Sequence, residues 1–267
     1  MGAGNLFGTI PSSLGDIPKL NFLQLSQQSL TGTIPETLGR INTLETFSLY
    51  NNDLTGTIPF EIFNSFHLER LDLGRNFLEG TISDFVTQSA YRVIYLEDNL
   101  LEGSLPATIY SQPSLQTLSI SRNLLTGTIR PQIGALEDLV QLYAEGNNLN
   151  GTLPTNFGLL RSLEELSFQN NAFSGRLPSE IGGLARLVNA DLSSNLFSGS
   201  LPEEIGLLSD LQFLSVASNM LTGSVPSSFS SLDSLGTYTR DAFLNASWRL
   251  YQTRYHSHAQ KCPFMIL

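Results

Sequence analysis

The chain has 267 residues, 41% of them hydrophobic and only 14% charged, which is enough apolar material to fold and argues against wholesale disorder. Its net charge of −10, with Lys19 and Lys261 as its only lysines, disfavours nucleic acid and anionic membranes as partners, because both need a cationic patch. One cysteine, Cys262, excludes an intrachain disulfide and a cysteine metal cluster, and no apolar run approaches the roughly 20 residues needed to span a bilayer.

The start, Met1-Gly2-Ala3-Gly4-Asn5, has neither a basic residue nor an apolar stretch and does not read as a signal peptide. That leaves either an intracellular protein or a piece of a longer one. From there the chain repeats. Glycines stand at 8, 32, 56, 80, 103, 127, 151, 175, 199 and 223, every step being 24 except the 23 from Gly80 to Gly103. Leu or Phe precedes each glycine by two residues. Asn precedes it by four at Asn52, Asn76, Asn99, Asn123, Asn147, Asn171, Asn195 and Asn219, with Gly4 and Gln28 as exceptions. Before each mark runs an alternating segment such as Leu68-Glu-Arg-Leu71-Asp-Leu73. Such alternation predicts a short strand with one face buried, and re-entry in one direction predicts a parallel sheet.

The Asn side chain carries an acceptor and two donors, so a buried column of them can satisfy backbone groups and bridge successive turns. The glycine permits a positive φ or a close approach. The proline three residues after it fixes φ and starts an outer segment too short for a full helix, where 3₁₀ turns are expected. Two units depart from the pattern. The one after Gly80 is a residue short between Thr81 and Tyr91 and lacks its proline, and Pro131 is displaced by one behind Arg130. Tolerated drift on the outer surface is the first reading of both; a kink or a contact site is the alternative.

The consensus L-x-x-L-x-L-x-x-N-x-L-x-G-x-I-P-x-x-L-G resembles the plant-type leucine-rich-repeat family, of receptor-like protein or receptor-kinase ectodomain type. The resemblance covers residues 1–235, about nine to ten repeats. It implies an α/β solenoid: a right-handed superhelix with a parallel β-sheet on the concave face and short turns or 3₁₀ segments on the convex face. Paired-cysteine caps usual in extracellular members are absent here. After the repeats, Leu244, Trp248, Tyr251 and Tyr255 are spaced four, three and four, an amphipathic stripe. Residues 236–256 are expected to form a capping helix; a partner-binding or membrane-surface helix and out-of-family sequence are the alternatives. Residues 257–267 are expected to be disordered.

No catalytic motif stands out. His67 falls on the convex side, and His256 and His258 precede Cys262 in the tail without a ligand spacing worth assigning; no G-x-S-x-G, P-loop, zincin or kinase motif occurs. The expectation is a protein that is not an enzyme, without metal or cofactor. Asn150 and Asn245 begin glycosylation sequons. Residues between the buried strand positions line up in columns on the concave face. The outer units hold mostly Ser, Asn and Gln there, whereas the middle ones gather Tyr50, Arg70, Asp72, Arg75, Tyr95, Glu97, Asp98, Arg122, Tyr143 and Glu145. Aromatic residues with Arg dominate interface energies. These ten form the candidate site for a protein, peptide or glycan ligand, in a chain that is monomeric when unliganded. Cell-surface or extracellular recognition in signalling or defence is the first functional reading. An intracellular, cytoplasmic scaffold and a receptor-kinase ectodomain whose kinase lies outside this chain are the others.

Overall fold

The computed structural model describes residues 5–86 and 89–235, in two units comprising residues 1–127 and 128–267. The expected capping helix, the tail, Asn245, His256, His258 and Cys262 lie outside the described residues.

In the first unit, the alternating segments form the strands Phe22–Gln24, Thr46–Ser48, Arg70–Asp72, Val93–Tyr95 and Thr117–Ser119. Each runs parallel to the next in strict register, so that Gln24, Ser48, Asp72, Tyr95 and Ser119 make one column. Asp72 pairs with Tyr95 although that repeat is one residue short, so the deletion is absorbed outside the sheet. Leu23, Phe47, Leu71, Ile94 and Leu118 point inward and are buried. Full burial of such a side chain stabilises by about 1.5–3 kcal/mol.

A second, separate parallel sheet runs alongside: Phe7–Thr9, Ser29–Gly32, Asp53–Thr57, Phe77–Thr81, Leu100–Ser104 and Leu124–Thr128. Its strands also alternate. Leu54 and Ile58 are buried around exposed Thr55 and Thr57, so the period-2 signal is present in the sequence beneath the more conspicuous glycine and proline marks. Gly56 explains its own position in this row. Its φ is +74°, and a Cβ there would stand 2.9 Å from the Thr33 Cγ2 of the preceding repeat.

Prolines open the outer turns as the sequence predicts. Pro35 and Pro106 sit at φ −65° and −63° immediately before the 3₁₀ turns Glu36–Arg40 and Ala107–Ser111, and Pro59 precedes a single α-helical turn, Phe60–Phe63. Among the described residues of the repeat after Gly80 there is no such turn. There Tyr91 and Phe85 fill the inside, with the Phe85 ring tilted against Phe63 on one side and edge-on to Tyr91 on the other. Thr108 and Gln112 hold the backbone from the next repeat, through Thr108 Oγ1 accepting from Phe85 N and Gln112 Nε2 donating to Val86 O.

The second unit repeats the plan with first-row strands Gln141–Tyr143, Glu165–Ser167, Asn189–Asp191 and Phe213–Ser215 and second-row strands Asn148–Gly151, Ala172–Gly175, Leu196–Gly199 and Met220–Leu221. Displacement of Pro131 leaves the turn intact: Pro131–Ala135 is still 3₁₀, with proline at its first position, where a missing N–H is harmless. Phe157, Phe168, Phe173 and Phe197 stack along the core at centroid separations of 5.8, 5.0 and 6.1 Å.

Asn52, Asn76, Asn99, Asn123, Asn171, Asn195 and Asn219 each tie their repeat to the one before. Asn76 Oδ1 accepts from Leu54 N while its Nδ2 donates to Leu49 O and to Leu73 O of its own turn; Asn195 does the same with Phe173 N and Phe168 O in the second unit. Gln28, out of pattern, accepts from Leu6 N and donates to Ser26 O, so the longer amide reaches equivalent groups.

Candidate functional site

Eight of the ten sequence-predicted residues lie on the first unit, across the strands Thr46–Ser48, Arg70–Asp72, Val93–Tyr95 and the turns that follow them. Arg70 opens its strand and Asp72 closes it, with Arg70 Nη2 donating to Asp72 Oδ2 at 3.2 Å. The same guanidinium lies 4.9 Å from the centre of the Tyr95 ring, and that of Arg75 lies 5.6 Å from the centre of the Tyr50 ring. Each tyrosine therefore already carries a cation against its face, an attraction worth about 0.5–1 kcal/mol where exposed.

Three of the ten, Arg75, Asp98 and Arg122, do not lie in the strands. Arg75, Asp98 and Arg122 have φ of 55°, 56° and 50°, the left-handed region, where the chain turns out of the sheet before each asparagine. This turn brings the three side chains together. Asp98 accepts from Arg122 at Nε and, at 2.9 Å, at Nη2, and pairs with Arg75 Nε at 3.5 Å. The hydrogen bond from Arg122 holds the Asp98 carboxyl below its ordinary range, aided by the charges of Arg122 and Arg75.

Asp72 and Glu97 behave oppositely. Burial raises both carboxyls, for Asp72 against the opposing pull of Arg70 and for Glu97 with the charges of Asp72 and Asp98 adding to the rise. Asp72 is only 8% exposed. Asp72 Oδ1 and Glu97 Oε2 are shut off from solvent and have no hydrogen-bond donor. Sequence reasoning missed the residue that permits this. Gly74 stands in the column of Tyr50 and Glu97, and Glu97 lies down over it: a Cβ at Gly74 would be 2.6 Å from Glu97 Oε1. The signal was a lone glycine among larger column residues.

A desolvated carboxylate opposes folding. With its pKa raised above the unfolded value, Glu97 leaves stability untouched below the ordinary glutamate range and reduces it as pH climbs through the raised value. Glu97→Gln is accordingly expected to stabilise the chain at pH 7 by on the order of 1 kcal/mol. That gain should shrink toward zero as pH falls to about 4. Melting temperatures of both proteins over that range check it; a gain that does not depend on pH would count against a desolvated charge.

In the second unit, Tyr143 ends the Gln141–Tyr143 strand and Glu145 follows two residues later, both half-buried. Asn150 is exposed on its second-row strand and His67 is exposed in the first unit. Also unforeseen is a row of exposed apolar residues in the first unit, Phe77, Leu100 and Leu124. Among the described residues no group of three or more His, Cys, Asp or Glu is placed to hold a metal, and no helix is long and apolar enough to cross a membrane.

The Leucine Rich Repeat family profile matches residues 43–65, 114–136, 162–184 and 210–232, and with the parallel rows and 3₁₀ turns this makes the chain a leucine-rich-repeat protein. Among solved structures it is similar to the plant peptide hormone receptor RGFR1 in complex with RGF2 (30% identity, TM-score 0.81, covering 86% of this chain and 41% of that one). It is also similar to the Arabidopsis receptor kinase HAESA in complex with the peptide hormone IDA and the co-receptor SERK1 (28%, 0.70, 87% and 43%). A plant ice-binding protein is similar over a larger share of its own length (29%, 0.76, 90% and 76%). The chain thus spans about two fifths of the receptor chains it resembles. No curated protein sequence matches it.

Proposed function

We propose that this chain is a non-catalytic recognition module that binds an extended peptide across the first-row strands of its first unit, at a cell surface. The observation that carries the reading is the pairing of Tyr50 with Arg75 and Tyr95 with Arg70 on neighbouring repeats. Rigid rings with guanidinium partners, set among half-buried polar side chains, are the chemistry of interface hot spots. Similarity to receptors solved with peptide hormones supports the peptide over a glycan.

Selection of a random-peptide display library on the full chain tests it. The Tyr50→Ala/Tyr95→Ala double variant is expected to bind the selected peptides about 30-fold more weakly or worse, since a hot-spot truncation costs roughly 2 kcal/mol. Its circular dichroism spectrum and melting temperature should stay close to those of the parent. Equal affinity for the double variant would remove this face from consideration.

A second reading rests on one observation. Thr9, Thr33, Thr57 and Thr81, one in each successive repeat, are exposed in or just after the second-row strands. Their methyls lie against Gly32, Gly56, Gly80 and Gly103, so the same threonine recurs on one side of four glycines. A recurring exposed hydroxyl suits binding to ordered water, and one of the similar structures is a plant ice-binding protein. Glu79 and Glu102 stand in register beside Thr57 and Thr81 and interrupt the hydroxyls, which favours the first reading. Thermal hysteresis of a concentrated solution of the chain decides: its absence discards the ice reading.

A further inference from the structure

We propose that Asp72 and Glu97 form a seat for one cationic group of the bound ligand, an arginine guanidinium or a lysine ammonium of the peptide; this rests on the peptide reading above. Two acceptor oxygens on adjacent repeats, Asp72 Oδ1 and Glu97 Oε2, have no donor. Such a group is expensive to leave unmade in a folded protein, and its natural partner is a multi-donor cation.

The surroundings say why the cation must come from outside. Arg75 and Arg122 are both bound to Asp98, and Arg70 spends its bond on the other oxygen of Asp72. Among the described residues Glu97 takes part in no ion pair. Gly74 leaves the space that lets the Glu97 carboxylate lie over the repeat that carries Asp72, so the two carboxylates face one region of the sheet. Tyr95 stands in register beside Asp72, and its ring already accepts the face of a guanidinium. The group nearest the seat is Arg70, held there by one hydrogen bond at 3.2 Å and by the face of the Tyr95 ring, with two fifths of its side chain exposed. It can swing aside and admit a ligand cation, which then gains two desolvated acceptors and an aromatic wall. Burial raises the carboxyls of Asp72 and Glu97, the strain that an entering cation would relieve.

The test uses the peptide selection on the full chain, repeated on an Asp72→Asn/Glu97→Gln double variant and on Glu97→Gln alone, each checked for folding by circular dichroism. Peptides selected on the parent are expected to share Arg or Lys at one position. Replacing that residue by norleucine should weaken binding roughly tenfold to the parent and by less than about twofold to the double variant. Selected peptides that depend on Tyr50 and Tyr95 but share no basic position, or that lose equal affinity on both proteins, overturn the seat and leave the peptide face standing. Failure to select any peptide overturns the peptide reading and the seat with it.

Discussion

Asn99→Ala is expected to lower the unfolding free energy by about 3 kcal/mol or more, far beyond the few tenths expected of an exposed asparagine such as Asn42. Asn99 is 6% exposed and makes four hydrogen bonds. Its Oδ1 accepts from Leu78 N at 3.0 Å, and its Nδ2 donates to Leu73 O at 3.0 Å, Leu96 O at 3.1 Å and Glu97 O at 3.2 Å. Two of these partners, Leu73 and Leu78, belong to the preceding repeat, so the side chain joins one repeat to the next as well as closing its own turn. Alanine strands the Leu78 N–H in an apolar interior and removes a donor from each carbonyl, and every stranded group costs about 1–3 kcal/mol. Denaturant titration of Asn99→Ala beside Asn42→Ala checks the difference. Equal midpoints would mean that backbone pairing alone holds the repeats together.

Tyr91→Ala is expected to cost about 3–5 kcal/mol, and Tyr91→Phe about 1 kcal/mol. Tyr91 is fully buried and follows the one-residue deletion. Its hydroxyl donates to Ile62 O at 2.6 Å and its ring meets Phe85 edge-on, with centroids 5.5 Å apart. From Pro35 onward the outer 3₁₀ or α turns of the other repeats bring an apolar residue of their own to the core; among the described residues of this repeat no such turn stands, and two rings fill the volume. The truncation therefore opens a cavity that a neighbouring turn cannot collapse into. Thermal unfolding of the two variants separates the ring from the hydroxyl. A Tyr91→Phe loss as large as that of Tyr91→Ala would show that the hydrogen bond, and not the filling of space, dominates.

The fold was legible because each architectural residue recurs in register. Leu71 or Ile94 could be placed inward from alternation alone, and Pro35 or Pro106 could be placed at the start of an outer turn from its fixed φ. The second strand row was harder to see. Its alternation, as in Leu54-Thr55-Gly56-Thr57-Ile58, shares residues with the glycine and proline marks, which attracted the whole explanation. The short repeat could be located but not understood, since the compensation comes through space from Thr108 and Gln112.

For the site, column arithmetic placed Asp72 beside Tyr95 despite the deletion. It placed Arg75, Asp98 and Arg122 on the concave face with the strand residues, whereas positive φ turns them out of the sheet and into an ion ladder. A period counts residues and does not report the sign of φ. Nor could it show that Asp72 and Glu97 keep oxygens without donors, because that depends on Glu97 folding over Gly74.

The most direct test of the central claim is a crystal structure of the full chain with a display-selected peptide. The account predicts the peptide lying across the strands Arg70–Asp72 and Val93–Tyr95, with side chains within about 4 Å of the Tyr50 and Tyr95 rings. A peptide seated on the second-row threonines or against the outer 3₁₀ turns would contradict it.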